Sequence, residues 1–463
     1  MKDTNETHSA HVVVSESQHF EATSDDSIYV TLRDNYHLRL DALTDFCCAD
    51  TSPLGADLAV VLAAVRDADK RVKRFHSLSW QRNIRLDVPV YELQKWRQSD
   101  VQAAMRDCLQ YLTGDSWDVR FSKRKRKFSG AIQRPLGIQP REDVAFMPFS
   151  HGLDSYAQLV LLSHRDKSRK VIPVNYTPRP GVPTTTVHRK AGSLSTVGVT
   201  GATQAPSHPE QSGRTRPFVY DTLAAYAACL HGDCGEVIIP ENGQGSLGAS
   251  LVRLGAEAPH RSCHPGFTVR LANFINNLLG KEITFIHSAL YLTKGQVLAE
   301  LSRIKPNTSE WLTGYKSCSY DRRNTSKDHK AIHCGFCGNC LLRRVSVLAA
   351  GIEEDATPYL VTRLDAETFE EALAGSGRER NFKSFRDVAH NAARSMQRLA
   401  DVATGSQKIH FAAEVEGLAH YQGLSTREVE EQLRNLVTCH REEWENFVAR
   451  VGQSSWLTEF ARI

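Results

Sequence analysis

From residue 144 onward the chain repeats one pattern that leaves few folds open. The apolar run 144–149 breaks at Ser150, passes Gly152, and opens an apolar-rich helical segment over 155–164. Further apolar runs follow at 170–176, 236–240 and 282–285, separated by helical segments at 222–230 and around 267–279. Strand and helix periods in alternation predict βαβ units, hence an α/β fold with a parallel sheet and right-handed crossovers. Ligands in such sheets sit beyond the carboxyl ends of the strands. Ser150, Asn175, Glu241 and Asn242 all fall at such ends.

The turn Ser150-His151-Gly152-Leu153-Asp154-Ser155 joins the first strand to the first helix. Gly152 lets backbone N–H groups approach an anion, and the helix start adds its dipole. Ser150 and Ser155 supply hydroxyl donors. Asp154, a carboxylate beside a phosphate site, suits a metal ion or a loop-fixing role. The spacing is not that of G-x-x-x-x-G-K-S/T, which excludes the P-loop of kinases and GTPases. An ordinary strand–helix turn with a Ser/Asp cap is the plainer alternative.

Cys334-Gly-Phe-Cys337-Gly-Asn-Cys340 places three thiols on one turn, two C-x-x-C steps in overlap. That arrangement suits tetrahedral Zn²⁺. Cys318 is the expected fourth ligand, with His329 and His333 as nearby alternatives. The other cysteines, 47, 48, 108, 229, 234, 263 and 439, lack ligand spacing and read as core or surface thiols.

The 463 residues allow two or three domains. Four segments are expected. Residues 1–26 form a flexible N-terminus, although Val12-Val13-Val14 also suits an edge strand. Residues 27–140 form an α+β module: a strand pair over 27–40 turning at Asp34-Asn35, helices at 54–72 and 101–112, and strands at 84–91 and 117–121. The α/β core spans 141–350, with a long Pro/Gly/Ser/Thr-rich loop at 177–213, and residues 351–463 are helical. The basic run 123–127 is either a solvated arm or a contact for an anionic partner. No apolar run reaches the ~20 residues of a membrane span. The 11 cysteines without a secretion signal point to reduced thiols in the cytoplasm. A net charge of +4 does not by itself call for nucleic acid as the primary substrate.

The loop 150–155 resembles the S-G-G-x-D-S pyrophosphatase (PP) loop of the N-type ATP pyrophosphatases, with His151 at its second position. Combined with Cys318, Cys334, Cys337 and Cys340, followed by Leu341-Leu342-Arg343, the chain resembles the 7-cyano-7-deazaguanine synthases, the QueC family. Arg214-Thr215-Arg216 and Thr293-Lys294 are similar to that family's arginine segment and phosphate-side lysine. Segments 240–243 and 262–265 resemble an N-terminally extended branch found in bacterial antiphage systems, the Qat and type IV CBASS systems. The resemblance covers residues 140–350 and implies a PP-loop core of the adenine nucleotide α-hydrolase kind.

The resemblance implies an ATP-dependent ligase that activates the carboxylate of 7-carboxy-7-deazaguanine and releases AMP and pyrophosphate. Asp154, Lys294 and Arg216 would be catalytic, with Asp154 holding Mg²⁺. ATP would meet Ser150, His151, Gly152, Leu153, Asp154, Ser155, Asn175, Arg214, Arg216 and Lys294. The deazaguanine would meet Glu241, Asn242, Gly243 and His264. The four cysteines would hold a structural zinc. The acceptor is expected to be an amine of a partner protein from a defence operon, received by the N-terminal module. Ammonia, giving the nitrile, is the alternative. Two further classes stay open: a tRNA-modifying thiolase using Cys229, Cys234 or Cys263, and a non-catalytic scaffold.

Overall fold

The computed structural model describes residues 8–16, 27–32, 36–75, 80–129, 144–177, 197–203, 209–252, 255, 257–320, 325–327, 330–354 and 357–462. It divides into two compact units. The first comprises 1–150, 167–239 and 255–287; the second comprises 151–166, 240–254 and 288–463. The chain therefore crosses between units several times, and the division does not follow linear boundaries at 140 and 350. The mixed α/β architecture with parallel sheets and a helical C-terminal region is as the strand–helix alternation requires.

The first unit contains two sheets. Strands β1 (His8–Ser15), β2 (Ser27–Thr31), β4 (Arg82–Val90) and β5 (Ser116–Lys123) form a four-stranded sheet in the order β2-β1-β4-β5, every pair parallel. Helix α1 (Asp41–Phe46) and α2 (Pro53–Arg71) precede β4, and α3 (Leu93–Trp96) and α4 (Ser99–Thr113) lead to β5. Helix α2 begins where Ser52 accepts a hydrogen bond from Gly55 N at 3.0 Å, with proline in its first turn. Within the expected mix of strands and helices, all the strand pairs of this module are parallel. Residues 8–15 are a central strand, not a flexible tail, because Val12 and Val14 are buried in the core.

Strands β6 (Val144–Pro148), β7 (Lys170–Thr177), β8 (Val197–Thr203), β9 (Cys234–Ile238) and β10 (Glu282–Ile286) form the core sheet, joined by β3 (Tyr36–Arg39) at its edge. The order is β10-β9-β6-β7-β8-β3, parallel throughout except β3, which runs antiparallel to β8. Two expectations fail here. The segments 27–31 and 36–39 are not a hairpin, since they enter different sheets. The span 177–213 contains β8, which pairs parallel with β7; most of the remainder lies outside the described residues. Helices α6 (Arg216–His231) and α8 (Pro265–Leu279) share one apolar core with both sheets, joining Val12, Ile84 and Trp117 to Phe146, Val237 and Phe274. The N-terminal residues therefore lack a core of their own.

Beneath that core lies a charged knot. Arg82 pairs with Asp69 and Asp115, both at 2.7 Å, and Arg74 pairs with Asp115 at 2.6 Å, all four residues buried. Asp69 also accepts from the amide and hydroxyl of Thr215, each at 2.9 Å. These bonds supply what the buried charges lose in leaving water. The basic run 123–127 is partly held: Arg124 stacks on Tyr91 at 4.4 Å, and Lys125 N donates to Glu16 at 2.7 Å.

The order of the core sheet reverses between β6 and β9. After β6 the chain enters the second unit at His151, and after β9 at Pro240. That unit holds α5 (Leu153–Arg165), α7 (Gly243–Leu251), α9 (Lys294–Ile304), α10 (Thr308–Gly314), the short strands β11 (Ser326–Lys327) and β12 (Lys330–Ala331), and α11 (Gly338–Ala349). The helices α12 (Phe369–Leu373), α13 (Phe382–Val402), α14 (Lys408–Gln422), α15 (Thr426–Val451) and α16 (Trp456–Arg462) complete it. One core joins the cysteine segment to Phe369, Phe385, Trp444 and Trp456. A second joins Leu247 and Leu290 to Leu418, Leu433 and Leu436. The C-terminal helices are therefore built into this unit. No helix among the described residues is long and apolar enough to cross a membrane.

Candidate functional site

Helix α5 opens at Gly152, whose extended conformation ends the turn. The left-handed residue is His151, at φ 56°. His tolerates this region better than most side chains, though less well than glycine. The start of the helix is anchored by Leu153 N donating to Lys316 O at 3.1 Å, and Ser155 Oγ donates to Gly152 O at 2.9 Å.

Four of the expected site residues converge within the second unit. Lys294 Nζ lies 2.6 Å from Asp154 Oδ2, with the lysine side chain only 4% exposed. Asn242 Nδ2 donates to Asp154 Oδ1 at 3.0 Å and to Glu241 Oε1 at 2.7 Å. Burial, then the charge of Asp154, pushes the Glu241 carboxyl up to about 8, with Lys294 pulling it back. Asn242 also caps α7, accepting from Gly245 N at 3.1 Å. A side chain at Gly245 would strike the Glu241 carboxylate, and one at Gly243 would come within 2.3 Å of Leu290 O. Gly243 is thus demanded by close packing.

A second layer holds Lys294 in place. Its backbone N donates to Gln244 Oε1 at 2.8 Å. Thr293 and Gln296 form a capping box at the start of α9, and the Thr293 hydroxyl donates to Glu443 of α15. The T-x-x-Q spacing carries a readable capping signal. Nothing local in the sequence marks Gln244, His440 or Glu443.

The remaining residues expected to meet ATP or the deazaguanine, Ser150, Asn175, Arg214, Arg216 and His264, belong to the first unit. Arg214 donates to Ala258 O at 2.7 Å and Pro259 O at 3.0 Å and stacks on Trp80 at 4.6 Å. Burial, then the charge of Arg74, lowers it to about 10. Arg216 lies over Tyr220 at 5.1 Å. Asn175 is buried on β7, opposite Gly198. His264 caps α8, where its Nδ1 accepts from Gly266 N at 2.9 Å and lies 3.0 Å from the Tyr111 hydroxyl. Ser150 closes the first unit's share of the turn.

The sulfurs of Cys318, Cys334, Cys337 and Cys340 lie within 4.8 Å of one another. Cys334 and Cys340 are 3.7 Å apart. A tetrahedral zinc with bonds of ~2.3 Å requires sulfur edges of about 3.8 Å, so one ion fits. Amides supply the outer contacts: Cys334 N to Cys318 Sγ at 3.3 Å and Cys337 N to Cys334 Sγ at 3.2 Å. Gly335, at φ 89°, is forced by the Val361 carbonyl, 2.3 Å from where its Cβ would stand. His333 does not serve as the fourth ligand. Its Nε2 accepts from Ser317 N at 3.2 Å, and burial, then the charge of Arg343, lowers it to about 3. His329 lies outside the described residues. Arg343 of α11, just after the cysteines, donates to Leu312 O at 2.6 Å, Glu354 at 2.7 Å and Thr357 at 3.0 Å.

Fold and site together define an α/β protein with parallel sheets, a helical C-terminal region and a four-cysteine cluster able to hold zinc. Over 48 residues the chain is 48% identical to the 7-cyano-7-deazaguanine synthase of Pyrococcus horikoshii, a stretch that is 10% of this chain and 20% of that curated relative. The likeness is of the QueC kind. No family model matches the chain, and no solved structure matches it.

Proposed function

We propose that the chain is an ATP-dependent adenylating enzyme of the QueC-like kind, acting on the carboxylate of a 7-deazaguanine. The observation that carries this reading is the pairing of Lys294 with Asp154, which lies in the loop 150–155 at the first turn of α5. A helix start favours phosphate, and a buried lysine beside it neutralises charge as pyrophosphate leaves. The carboxylate oxygen attacks the α-phosphorus, the bond to the β-phosphate oxygen breaks, and an acyl adenylate forms. An amine then attacks the acyl carbon and AMP departs. Each Asp154 oxygen keeps a lone pair beyond its contact with Lys294 or Asn242, so Asp154 fits as a Mg²⁺ holder; Mg²⁺ would offset phosphate charge. Zinc on four thiolates has no open position and serves structure.

The acceptor we favour is an amine of a partner protein in a bacterial antiphage system, received by the N-terminal sheet. Its support is the sequence resemblance and the four-stranded sheet of residues 8–123, which is separate from the core sheet. An α-amine with a reference pKa of about 7.7–8.0 is partly unprotonated at neutral pH and is a competent nucleophile. Ammonia is the second reading, favoured by the activity named for the Pyrococcus relative: it gives the amide, and a second ATP activates the amide oxygen so that it leaves with AMP and the nitrile forms. A thiolase reading is disfavoured at Cys229, whose thiol burial pushes up to about 12, opposite to what a nucleophilic thiolate needs. The test is intact-mass measurement of co-expressed neighbour-encoded proteins. A deazaguanine-sized adduct that vanishes with Asp154→Ala supports the reading. Unmodified partners together with rapid nitrile formation from the free acid and ammonia would return the chain to the ordinary synthase.

A further inference from the structure

Helix α15 enters the neighbourhood of Lys294 from a part of the chain nearly 150 residues away. Thr293 and Glu443 are 150 apart in sequence, and Gln244 and His440 are 196 apart. We propose that His440 and Glu443 are positioning residues for Lys294, so that the C-terminal helices act as a brace for the candidate nucleotide site; this rests on the ATP reading above.

The brace has one consistent proton arrangement. Gln244 Oε1 accepts from Lys294 N, which orients the amide and leaves Nε2 as donor. That Nε2 lies 2.9 Å from His440 Nδ1 and 3.4 Å from Glu443 Oε2. His440 Nδ1 must therefore accept, and Nε2–H donates to Met396 O at 2.9 Å. Both ring nitrogens are used with the imidazole neutral. Burial favours the same state, lowering His440 to about 4. Glu443 accepts from the Thr293 hydroxyl at the cap of α9. A side chain at Gly295 would strike Glu443 Oε1, so α9 and α15 meet closely at this turn. Leu436, on the same helix, closes against Gly243 at the start of α7. Helix α15 thus grips the first turns of the two helices that bring Asn242 and Lys294 to Asp154. A shift of about 1 Å at a catalytic group lowers rate by roughly 100-fold, so such a grip affects kcat.

The test compares His440→Leu, which offers no acceptor, with His440→Gln, whose carbonyl can accept from Gln244 while its amide donates to Met396 O. Three readouts are taken on the full chain: kcat and KM for AMP and pyrophosphate release, bound zinc, and acetylation of Lys294 by acetic anhydride, read by mass spectrometry. The expected result is a kcat at least 10-fold lower in His440→Leu, with KM for ATP within about threefold and zinc retained. Lys294 acetylation rises in parallel, and His440→Gln restores both values. Unchanged kcat and unchanged Lys294 acetylation in a zinc-loaded His440→Leu protein would overturn the brace. If the wild-type chain releases no AMP while Lys294 acetylation still separates the two variants, the ATP reading fails and the brace stands. Should His440→Leu not fold, Glu443→Ala, compared with Glu443→Gln, gives the same contrast from the other anchor.

Discussion

Lys294 Nζ and Asp154 Oδ2 meet at 2.6 Å although 140 residues separate them in the chain. Asp154 stands on the first turn of α5 and Lys294 on the first turn of α9. An ion pair therefore joins the starts of two helices. Replacing either residue by alanine should lower ATP cleavage by about 10²–10³-fold, because each removes a charge interaction that develops with the leaving phosphate. The check is release of AMP and pyrophosphate. ADP and phosphate as the only products would place the protein in another enzyme class.

Metal content tests the cysteine cluster. Purified protein should hold about one zinc per chain, and Cys337→Ser should lose it. Because Cys334, Phe336 and Cys340 share a core with Trp444 and Trp456, loss of zinc should also loosen the C-terminal helices. Elemental analysis and hydrogen exchange over 382–462 read the two effects. Full zinc retention in both Cys334→Ser and Cys337→Ser would rule the site out.

His151 tests whether the turn needs a shape or a side chain. At φ 56°, glycine relieves strain of about 1 kcal/mol but adds unfolded-chain entropy of similar size. His151→Gly should therefore leave stability within about 1 kcal/mol of wild type, while His151→Val should destabilise by about 1–3 kcal/mol. Retained ATP cleavage in His151→Gly means that His151 serves as a backbone substitute for glycine. A large loss of rate would assign a role to the imidazole.

The pH dependence of stability should carry the mark of Glu443. Burial raises its carboxyl from 4.5 to about 7, against hydrogen bonds from Thr293 and Gln244. A raised value means that folding takes up a proton. The stability so contributed is complete below the unfolded value of 4.5 and is lost as pH rises through about 7. Denaturant titrations at several pH values should show Glu443→Gln flattening that decline relative to wild type. Parallel curves for the two proteins would remove Glu443 from the account.

Asp115 is the pivot of the charged knot in the first unit. Asp115→Ala leaves Arg74 and Arg82 buried with fewer partners and should destabilise by about 3–5 kcal/mol. The denaturation midpoint measures this. A loss below about 1 kcal/mol would mean that water or a neighbouring group replaces the carboxylate.

The alternation of strand and helix from Val144 to Ile286 determined the parallel core sheet, since each apolar run must pair and each amphipathic segment must cover a face. The C-x-x-C steps determined a one-ion cluster, because the local chain alone sets three of its four sulfurs. Tertiary structure decided what local patterns cannot encode. The strands β2 and β3 look like a hairpin in sequence, yet pairing in different sheets separates them. Residues 8–15 look like a tail, yet Val12 and Val14 find a core made by helices far along the chain. Asp154, Asn242, Glu241 and Lys294 were each visible beside a strand end or helix start. Their meeting, and the hold of Gln244, His440 and Glu443 on Lys294, arise from helix packing between segments up to 199 residues apart, for which periodicity carries no signal.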